Sequence, residues 1–332
     1  MATSMSLQHR EEIMRLLIIT LAVILLMLPA QAHVPGVAEG DVIVVPDAEK
    51  SYAWYGLLDD PDEADQYLLT AGEGTEIRLS ISTPDQGVSP SAALIGPGIA
   101  GQDPLPDFIT VPQGQGSILI PAEEEPVVSY EPFTPMAMYE VSSFSTAAPV
   151  DGEYTVMVFG DEGRYILATG FLEEFSLTEW LLIPVSVLSV RNWQGQSVFL
   201  NLVPILGAVI IGAWWFRNRI AAPQWPGIWL LVIAGFAYIG SGILVFAQMI
   251  IAGLLTGPVP SMVLTALFAT VPVILGLVLI RIAVKTGPSP SYADRVKMAV
   301  LGILGLIFWA GLIAGPVLAM AASLVPGRTS KI

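Results

Sequence analysis

The chain of 332 residues contains no cysteine and only two histidines, His9 and His33. Without cysteine, disulfide bonds, thiolate zinc sites, iron–sulfur clusters and cysteine nucleophiles are excluded. A Ser-His-Asp arrangement cannot be built when the one histidine after the predicted signal peptide stands at a chain terminus. The sequence also has no P-loop, no dinucleotide-binding glycine motif after a strand and no His-Glu-x-x-His motif. We therefore expect the chain not to be an enzyme.

Charged residues are scarce and unevenly distributed. They make up 13% of the chain, whereas hydrophobic residues make up 54%, a balance that is too apolar for an ordinary soluble protein. Residues 33–175 contain 25 acidic and three basic residues, and residues 176–332 contain two acidic and nine basic ones. The pattern indicates an acidic exported domain joined to a membrane domain with basic flanks. Nucleic acid is excluded as a partner of the acidic half, because its phosphates would be repelled.

Residues 1–32 are predicted to be a secretory signal peptide. The apolar run at 16–29 has 14 residues, which is short for a membrane span and typical of a signal core. Ala30-Gln31-Ala32 fits the small-x-small cleavage pattern. Either Met1 or Met14 could be the start, and an uncleaved anchor helix is the alternative.

Residues 33–172 are predicted to form an antiparallel β-sandwich on the extracytoplasmic side. In the segment EIRLSIS at 76–82, apolar and polar residues alternate, as in a strand with one buried face. EYTVMVFG at 153–160 is apolar on both faces, which indicates a central strand, and DFITVP at 107–112 is a further candidate strand. Seven to eleven such runs, separated by turn residues, favour a sandwich or barrel.

Two stretches of this region resemble the pre-peptidase C-terminal type of extracytoplasmic β-sandwich. They are DEADQYLLTAGEGTEIRLSIS at 62–82 and APVDGEYTVMVFG at 148–160. The residues that match the family pattern are Asp65, Tyr67, Gly72, Ile77 to Ile81, Gly152 and Tyr154. The resemblance spans about 100 residues and implies an exported accessory module rather than a catalyst.

Residues 197–327 are predicted to form an all-α domain of four transmembrane helices. Each of the four apolar runs reaches the ~20 residues that a span needs; they lie at 197–216, 225–255, 261–280 and 298–325. Residues 173–196 are predicted to be an interfacial linker segment in which Ser176 and Glu179 form a capping box and Pro184 breaks the helix. The chain is thus expected to be a mixed multidomain protein with β structure followed by α structure.

The basic residues predict a multi-pass topology in the cell membrane. They lie in the first and third loops between the spans, which places these loops in the cytoplasm and residues 33–196 outside. Arg328 and Lys331 conflict with this assignment, because a fourth span would carry them outside. The lipid bilayer is therefore one expected partner, and an oligomer through the spans is another possibility left open by the sequence.

The predicted spans contain no charged residue or histidine, which argues against a carrier that moves ions or protons. Asn201, Tyr238, Ser241 and Gln248 are their notable polar residues, and we expect these side chains to form hydrogen bonds between helices. Five glycines are candidates for close helix packing: Gly235, Gly240, Gly242, Gly311 and Gly315.

Two segments of the predicted sandwich are candidate binding sites. The acidic segment at 59–65 offers hard oxygen ligands for calcium from Asp59, Asp60, Asp62, Glu63 and Asp65, although a solvated turn is the plainer interpretation. The aromatic segment at 129–140 offers anchors for a protein partner through Tyr130, Phe133, Met136, Met138 and Tyr139. Packing across the end of the sandwich is the alternative for this second segment.

Cleavage after Ala32 would make His33 the first residue, and its amine and ring could together hold copper. Glu39, Asp41 or Asp47 could complete the site, because Cu(II) accepts mixed nitrogen and oxygen ligands. The sequence favours a membrane-anchored accessory or scaffold protein that presents its acidic domain to another membrane or surface protein, with no cofactor. A copper-handling protein that uses His33 is the alternative, and a small-molecule carrier is the third.

Overall fold

The computed structural model describes residues 33–38, 40, 42–219 and 225–327. The predicted signal peptide, Glu39, Asp41, Arg328 and Lys331 lie outside the described residues. A β-rich region comes first and a helical region follows. The described residues form eleven strands and six helices. The strands are β1 Val34–Val37, β2 Val42–Val44, β3 Tyr52–Leu58, β4 Ala64–Ala71, β5 Glu76–Thr83, β6 Ser91–Pro97, β7 Gln115–Ile120, β8 Val127–Glu131, β9 Met136–Ala147, β10 Gly152–Phe159 and β11 Gly163–Thr169. The helices are α1 Leu177–Trp193, α2 Val198–Arg219, α3 Gly227–Thr256, α4 Met262–Lys285, α5 Tyr292–Ile307 and α6 Ala314–Leu324.

The strands form two sheets around one hydrophobic core, and we call this region the two-sheet domain (residues 34–172). The strand order is β1-β3-β11-β5-β9-β8 in the first sheet and β2-β4-β10-β6-β7 in the second. The alternating residues of β5 behave as their pattern predicts, since Ile77, Leu79 and Ile81 are buried in the core. Central strand β10 contributes Tyr154, Val156 and Val158 to the same core.

The sheets differ from the predicted antiparallel sandwich in two places. Strand β1 pairs with β3 in parallel, and β2 pairs with β4 in parallel, whereas the other pairings are antiparallel. The reason lies in the connections. β1 and β2 are consecutive but belong to different sheets, so neither joins its neighbour through a tight hairpin. The segment 107–112 is also not a strand; it packs Ile109 and Val111 onto the outer face of the second sheet.

Helix α1 begins where the sequence predicts it, with the capping box of Ser176 and Glu179. The prediction that Pro184 breaks the helix is wrong, because α1 continues through it to Trp193. Pro184 lies two turns beyond the helix start, and the carbonyl oxygen of Trp180, which its missing N–H leaves free, accepts a hydrogen bond from Nε1 of Trp309 instead. The C-terminal half of α1 lies on the first sheet, where Val190 and Trp193 pack with Ala53, Tyr55 and Met136.

Three helices, α2, α3 and α4, are long and apolar enough to cross a membrane. The fourth predicted span, 298–325, is not one helix but the two shorter helices α5 and α6. The break falls at 308–313, where Trp309, Gly311 and Leu312 have positive φ angles that an α-helix cannot contain. Among the described residues, three helices rather than four therefore have the length and composition of a membrane span.

Helices α5 and α6 form an antiparallel hairpin. At its open end, Arg295 donates from Nη1 to the carbonyl oxygen of Ser323 at 2.6 Å. Further along, Gly302 faces Met320 and Pro316 at close range. The chain that follows α6 returns to the start of α3, where Trp225 donates from Nε1 to the carbonyl oxygens of Val325 and Pro326 at 3.3 and 3.2 Å. We call residues 308–313 the hairpin tip.

The expected hydrogen bonds between helices are confirmed. Gln248 of α3 donates to Asn201 of α2 at 2.9 Å. Tyr238 donates from its hydroxyl to the carbonyl oxygen of Leu301 in α5 at 3.2 Å. Ser241 accepts a hydrogen bond from the backbone N–H of Gly311 in the hairpin tip at 2.8 Å. These bonds satisfy polar groups that would be costly to bury alone.

Gly56 leaves room for a large tyrosine ring in the first sheet, which gives a first prediction. Gly56 on β3 lies opposite Tyr165 on β11, and a Cβ at Gly56 would come within 2.3 Å of that ring. We expect Gly56→Ala to lower the free energy of unfolding by about 1–3 kcal/mol, because the overpacked core must shift. Thermal unfolding in detergent measures the change.

The matched control is Gly72→Ala in the same domain. A Cβ at Gly72 would make only ordinary contacts, at 3.5 Å to Asp151 and 3.6 Å to Thr75. An equal loss of stability for both variants would contradict the packing argument.

Candidate functional site: the junction of the two-sheet domain and the helices

The turn between β8 and β9, residues 131–135, attaches the two-sheet domain to helix α4; we call it the docking turn. The hydroxyl of Tyr130 donates to Oγ1 of Thr265 at 2.8 Å. Oγ1 of Thr265 in turn donates to the carbonyl oxygen of Pro132 at 2.7 Å. Thr265 is completely buried, so its hydroxyl needs these partners to avoid a desolvation cost. The threonine thus joins the domain to the helices by two hydrogen bonds.

Aromatic rings continue this contact toward the hairpin tip. Phe133 of the docking turn meets Phe268 of α4 edge to face, with ring centroids 5.5 Å apart. Phe268 stacks on Trp309 of the hairpin tip at 5.9 Å. Trp309 packs against Trp180 of α1 at 4.6 Å and donates from Nε1 to its carbonyl oxygen at 2.9 Å. The row of four rings therefore connects the domain, α4, the hairpin and α1.

Arg191 of α1 is a buried cation at the same junction. It is 4% exposed, and its Nη1 donates to the carbonyl oxygen of Pro135 at 3.0 Å and to Oε1 of Gln194 at 2.9 Å. Burial lowers the pKa of Arg191 to about 10, so the side chain stays positive at neutral pH. Its position binds the end of α1 to the docking turn.

A chain of side-chain amides runs from Arg191 into the helices. Nε2 of Gln196 donates to Oε1 of Gln194 at 3.5 Å. Nε2 of Gln248 in α3 donates to Oε1 of Gln196 at 2.9 Å. Gln248 also donates to Asn201, as described above. Gln248 and Asn201 are both buried. The connection between α1 and α2 is thereby fixed to α3 by polar contacts.

Glu131 closes the docking turn from inside. Its Oε1 accepts the backbone N–H of Phe133 at 2.9 Å. The residue keeps part of its surface exposed, while its carboxyl group lies among densely packed atoms, and this burial raises its pKa to about 7. Tyr55 and Tyr130 lie close enough that the charge of Glu131 adds to the effect of burial in raising their pKa values. The protonation state of Glu131 therefore changes near neutral pH.

The five residues predicted to bind a partner lie at or next to this junction. Tyr130, Phe133 and Met136 contact the helices of the chain itself. Met138 packs beside Val190 of α1, and Tyr139 is half-buried on β9. Tyr130 and Phe133 thus have partners within the chain, and these partners lie on α4.

The acidic segment is an exposed turn rather than a cluster of converging ligands. Asp60 accepts the backbone N–H of Asp62 at 2.9 Å, and Asp59 and Glu63 are exposed. Asp65 lies apart on β4, where it accepts a hydrogen bond from the hydroxyl of Tyr165. Among the residues that the structure describes, no three histidine, aspartate or glutamate side chains are grouped so that they could hold a metal ion. The predicted calcium site therefore does not assemble.

His33 is half-buried, and burial lowers its pKa. Of the carboxylates predicted to complete a copper site, Glu39 and Asp41 lie outside the described residues. Asp47 instead accepts the backbone N–H of Glu49 at 2.9 Å in a turn. Among the described residues, His33 belongs to no group of three histidine, aspartate or glutamate side chains that could hold a metal ion.

The five predicted packing glycines all lie at close contacts between helices. Gly235 and Gly242 of α3 face α4, and Gly240 faces the backbone of α2, where a Cβ would come within 2.5 Å of the Cα atom of Ile205. Gly311 and Gly315 lie against Tyr238. A side chain at these positions would separate the helices.

The sequence pattern did not predict which residues meet at the junction. Gln248 and Asn201 stood out as polar residues in apolar runs, but Thr265, Glu131 and Gln194 carried no such signal. Arg191 lies in the segment that was predicted to be an interfacial linker, yet its side chain is buried against the two-sheet domain. The contacts join segments more than 50 residues apart, which periodicity within a segment cannot indicate.

Substitution of Glu131 by glutamine tests the buried carboxyl group. Because the folded pKa lies above the ordinary value of 4.5, the carboxyl stabilises the fold most below about pH 4.5 and progressively less as pH rises toward 7. We expect Glu131→Gln to match the original protein at pH 4 and to be more stable by about 2–3 kcal/mol at pH 8. Thermal unfolding at a series of pH values measures this difference.

Glu140→Gln removes an exposed carboxyl group from β9 and serves as the control, measured beside Glu131→Gln at each pH. A Glu131→Gln variant that is less stable than the original protein at pH 8 would contradict the buried-carboxyl argument.

A double-mutant cycle tests the amide contact between α2 and α3. Gln248→Leu leaves the oxygen of Asn201 without its described donor, and we expect a loss of about 1–3 kcal/mol. Asn201→Leu should have a similar effect, while the double variant should lose clearly less than the sum. Additive losses in thermal unfolding would mean that the two amides do not interact.

No protein-family model and no curated protein matches this chain. The resemblance to the pre-peptidase C-terminal type of sandwich therefore stays a prediction. The features that bear on function are therefore the junction, the helices and the distribution of charge.

Proposed function

We propose that this chain is a membrane-anchored accessory protein that holds its acidic two-sheet domain in a fixed position for a partner protein at the cell surface. The observation that carries the proposal is the buried junction: Thr265, Arg191 and the Phe133–Phe268 pair bind the domain to the helices. A freely tethered domain would not need buried hydrogen bonds at its attachment. A fixed domain presents one particular surface in one orientation.

The partner is expected to carry a basic surface. The region that contains the domain has 25 acidic residues against three basic ones. Exposed acidic side chains occur at the turn of Asp59 and Asp60 and at Glu123 to Glu125. Complementary charge speeds association and selects partners more than it adds affinity.

Our proposed topology has three spans and a hairpin that enters and leaves the membrane on the same side. The basic residues Arg217, Arg219, Arg281 and Lys285 lie at the ends of α2 and α4. The open end of the hairpin adds Arg295 and Lys297 near the start of α3. All these residues can then face the cytoplasm, as the positive-inside rule favours, with the two-sheet domain outside.

This topology removes the conflict that the fourth span created. The chain leaves α6 at the end where Val325 and Pro326 meet Trp225. A tail that continues from this end begins on the cytoplasmic side, and Arg328 and Lys331 follow there in the sequence.

Single cysteines test the topology without background labelling, because the chain has none. We expect an impermeant maleimide to label Gln113→Cys in the two-sheet domain and Ser261→Cys between α3 and α4 in intact cells. It should label Ser289→Cys before α5 and Pro326→Cys after α6 only after permeabilisation. All four positions are exposed. Labelling of Pro326→Cys from outside would instead support a fourth complete span.

A charge-removal experiment tests the accessory function. In native membranes treated with a short cross-linker, we expect the full chain to form a discrete larger assembly that high salt disperses. Removal of the acidic turn by Asp59→Asn, Asp60→Asn, Asp62→Asn and Glu63→Gln together should weaken this assembly. The control is removal of three charges at Glu123, Glu124 and Glu125. A chain that stays unassembled under all conditions would refute the proposed function.

A further inference from the structure

The hairpin tip holds an energetically unfavourable backbone. Trp309 and Leu312 have φ angles of 49° and 59°, and Gly311 between them has a φ angle of 64°. Side chains other than glycine rarely adopt this left-handed region, and they persist there when surrounding contacts hold them. Such strain often marks a segment with more than one conformation.

Contacts from three helices, α1, α3 and α4, hold the tip, and each of these helices also contacts the two-sheet domain. The indole of Trp309 donates to the carbonyl oxygen of Trp180 in α1. Its ring lies flat on Phe268, with an angle of 9° between the rings. The third contact is the hydrogen bond from Gly311 to Ser241 of α3.

The domain reaches the tip through Phe268. This ring is in contact with Phe133 on one side and with Phe308 and Trp309 of the tip on the other. Thr265, which binds the docking turn, lies three residues before Phe268 on the same helix. A displacement of the docking turn would therefore move Phe268 and remove a support of the tip.

We propose that the docking turn and the hairpin tip form a coupling contact, so that a partner bound to the two-sheet domain changes the conformation of the hairpin. The inference rests on the proposed accessory function and adds a response to it. The domain and the open end of the hairpin face opposite sides in our topology, and the contact joins them within the protein. The tip is the strained element, and the row Phe133, Phe268 and Trp309 is the link.

The test measures how often the tip opens. Ala310→Cys places a thiol in the tip, and Ala319→Cys places one in the middle of α6; both alanines are completely buried. A membrane-permeant maleimide labels each thiol only when its surroundings open. We expect Phe133→Ala to raise the labelling rate at Ala310→Cys about two- to tenfold, the range of one lost aromatic pair. The rate at Ala319→Cys should stay unchanged.

The matched control is Phe108→Ala. Phe108 also makes an edge-to-face contact, with Phe159 at 6.3 Å, but it lies on the outer face of the second sheet. It should leave both labelling rates unchanged. Phe133→Leu, which keeps apolar volume at the contact, should give a smaller rise than Phe133→Ala and serves if the alanine variant does not fold.

Two results would overturn the coupling. One is an unchanged rate at Ala310→Cys in folded Phe133→Ala and Phe133→Leu proteins. The other is an equal rise at Ala310→Cys and Ala319→Cys, which would show general loosening of the helices. The experiment needs no partner, so its failure would leave the proposed accessory function standing, and the cross-linking experiment tests that function separately.

Discussion

The arrangement of this protein depends on the two hydrogen bonds that the hydroxyl of Thr265 makes. It accepts from Tyr130 and donates to Pro132, and it does so in complete burial. In an apolar environment, a polar group without a partner is costly, so the docking turn and α4 have one favourable alignment. Phe133 then meets Phe268, and Arg191 reaches Pro135. These satisfied polar groups fix how the docking turn lies against α4 and α1.

Polar and aromatic contacts have different roles at the junction. The hydrogen bonds of Arg191 and of the Gln248–Asn201 pair fix which residues lie together, because each has a strict geometry. The rings from Phe133 to Trp309 fill the space between the domain and the hairpin tip and tolerate small displacements. The hydrogen bonds would hold the domain in position, and the rings would allow small movements between the domain and the hairpin tip, as the proposed coupling requires.

The hairpin distinguishes the helical region from a bundle of four long helices. A fourth span would have made this part a simple anchor, whereas the break at 308–313 brings an irregular backbone into the middle of the helices. Backbone of this kind is tolerated at membrane depth only where protein buries it. Here Tyr238, Ser241 and Phe268 surround it. Its burial explains why three small residues, Ala310, Gly311 and Gly315, occur so close together.

The sequence by itself determined the division into a β-rich and a helical half, the alternation of β5, the capping box at Ser176 and three long apolar helices. These features depend on composition and short-range periodicity, which one segment contains in full. Only the tertiary structure decided the parallel pairing of β1 with β3 and of β2 with β4, the break in the last apolar run, the burial of Arg191 and the surroundings of the Glu131 carboxyl group. Pairing depends on where a distant strand lies. Residues 308–313 contain no proline or charged residue that would predict the break. Their left-handed conformation is held instead by contacts with Trp180, Ser241 and Phe268. The partners of a buried charge likewise come from segments that are remote in the sequence.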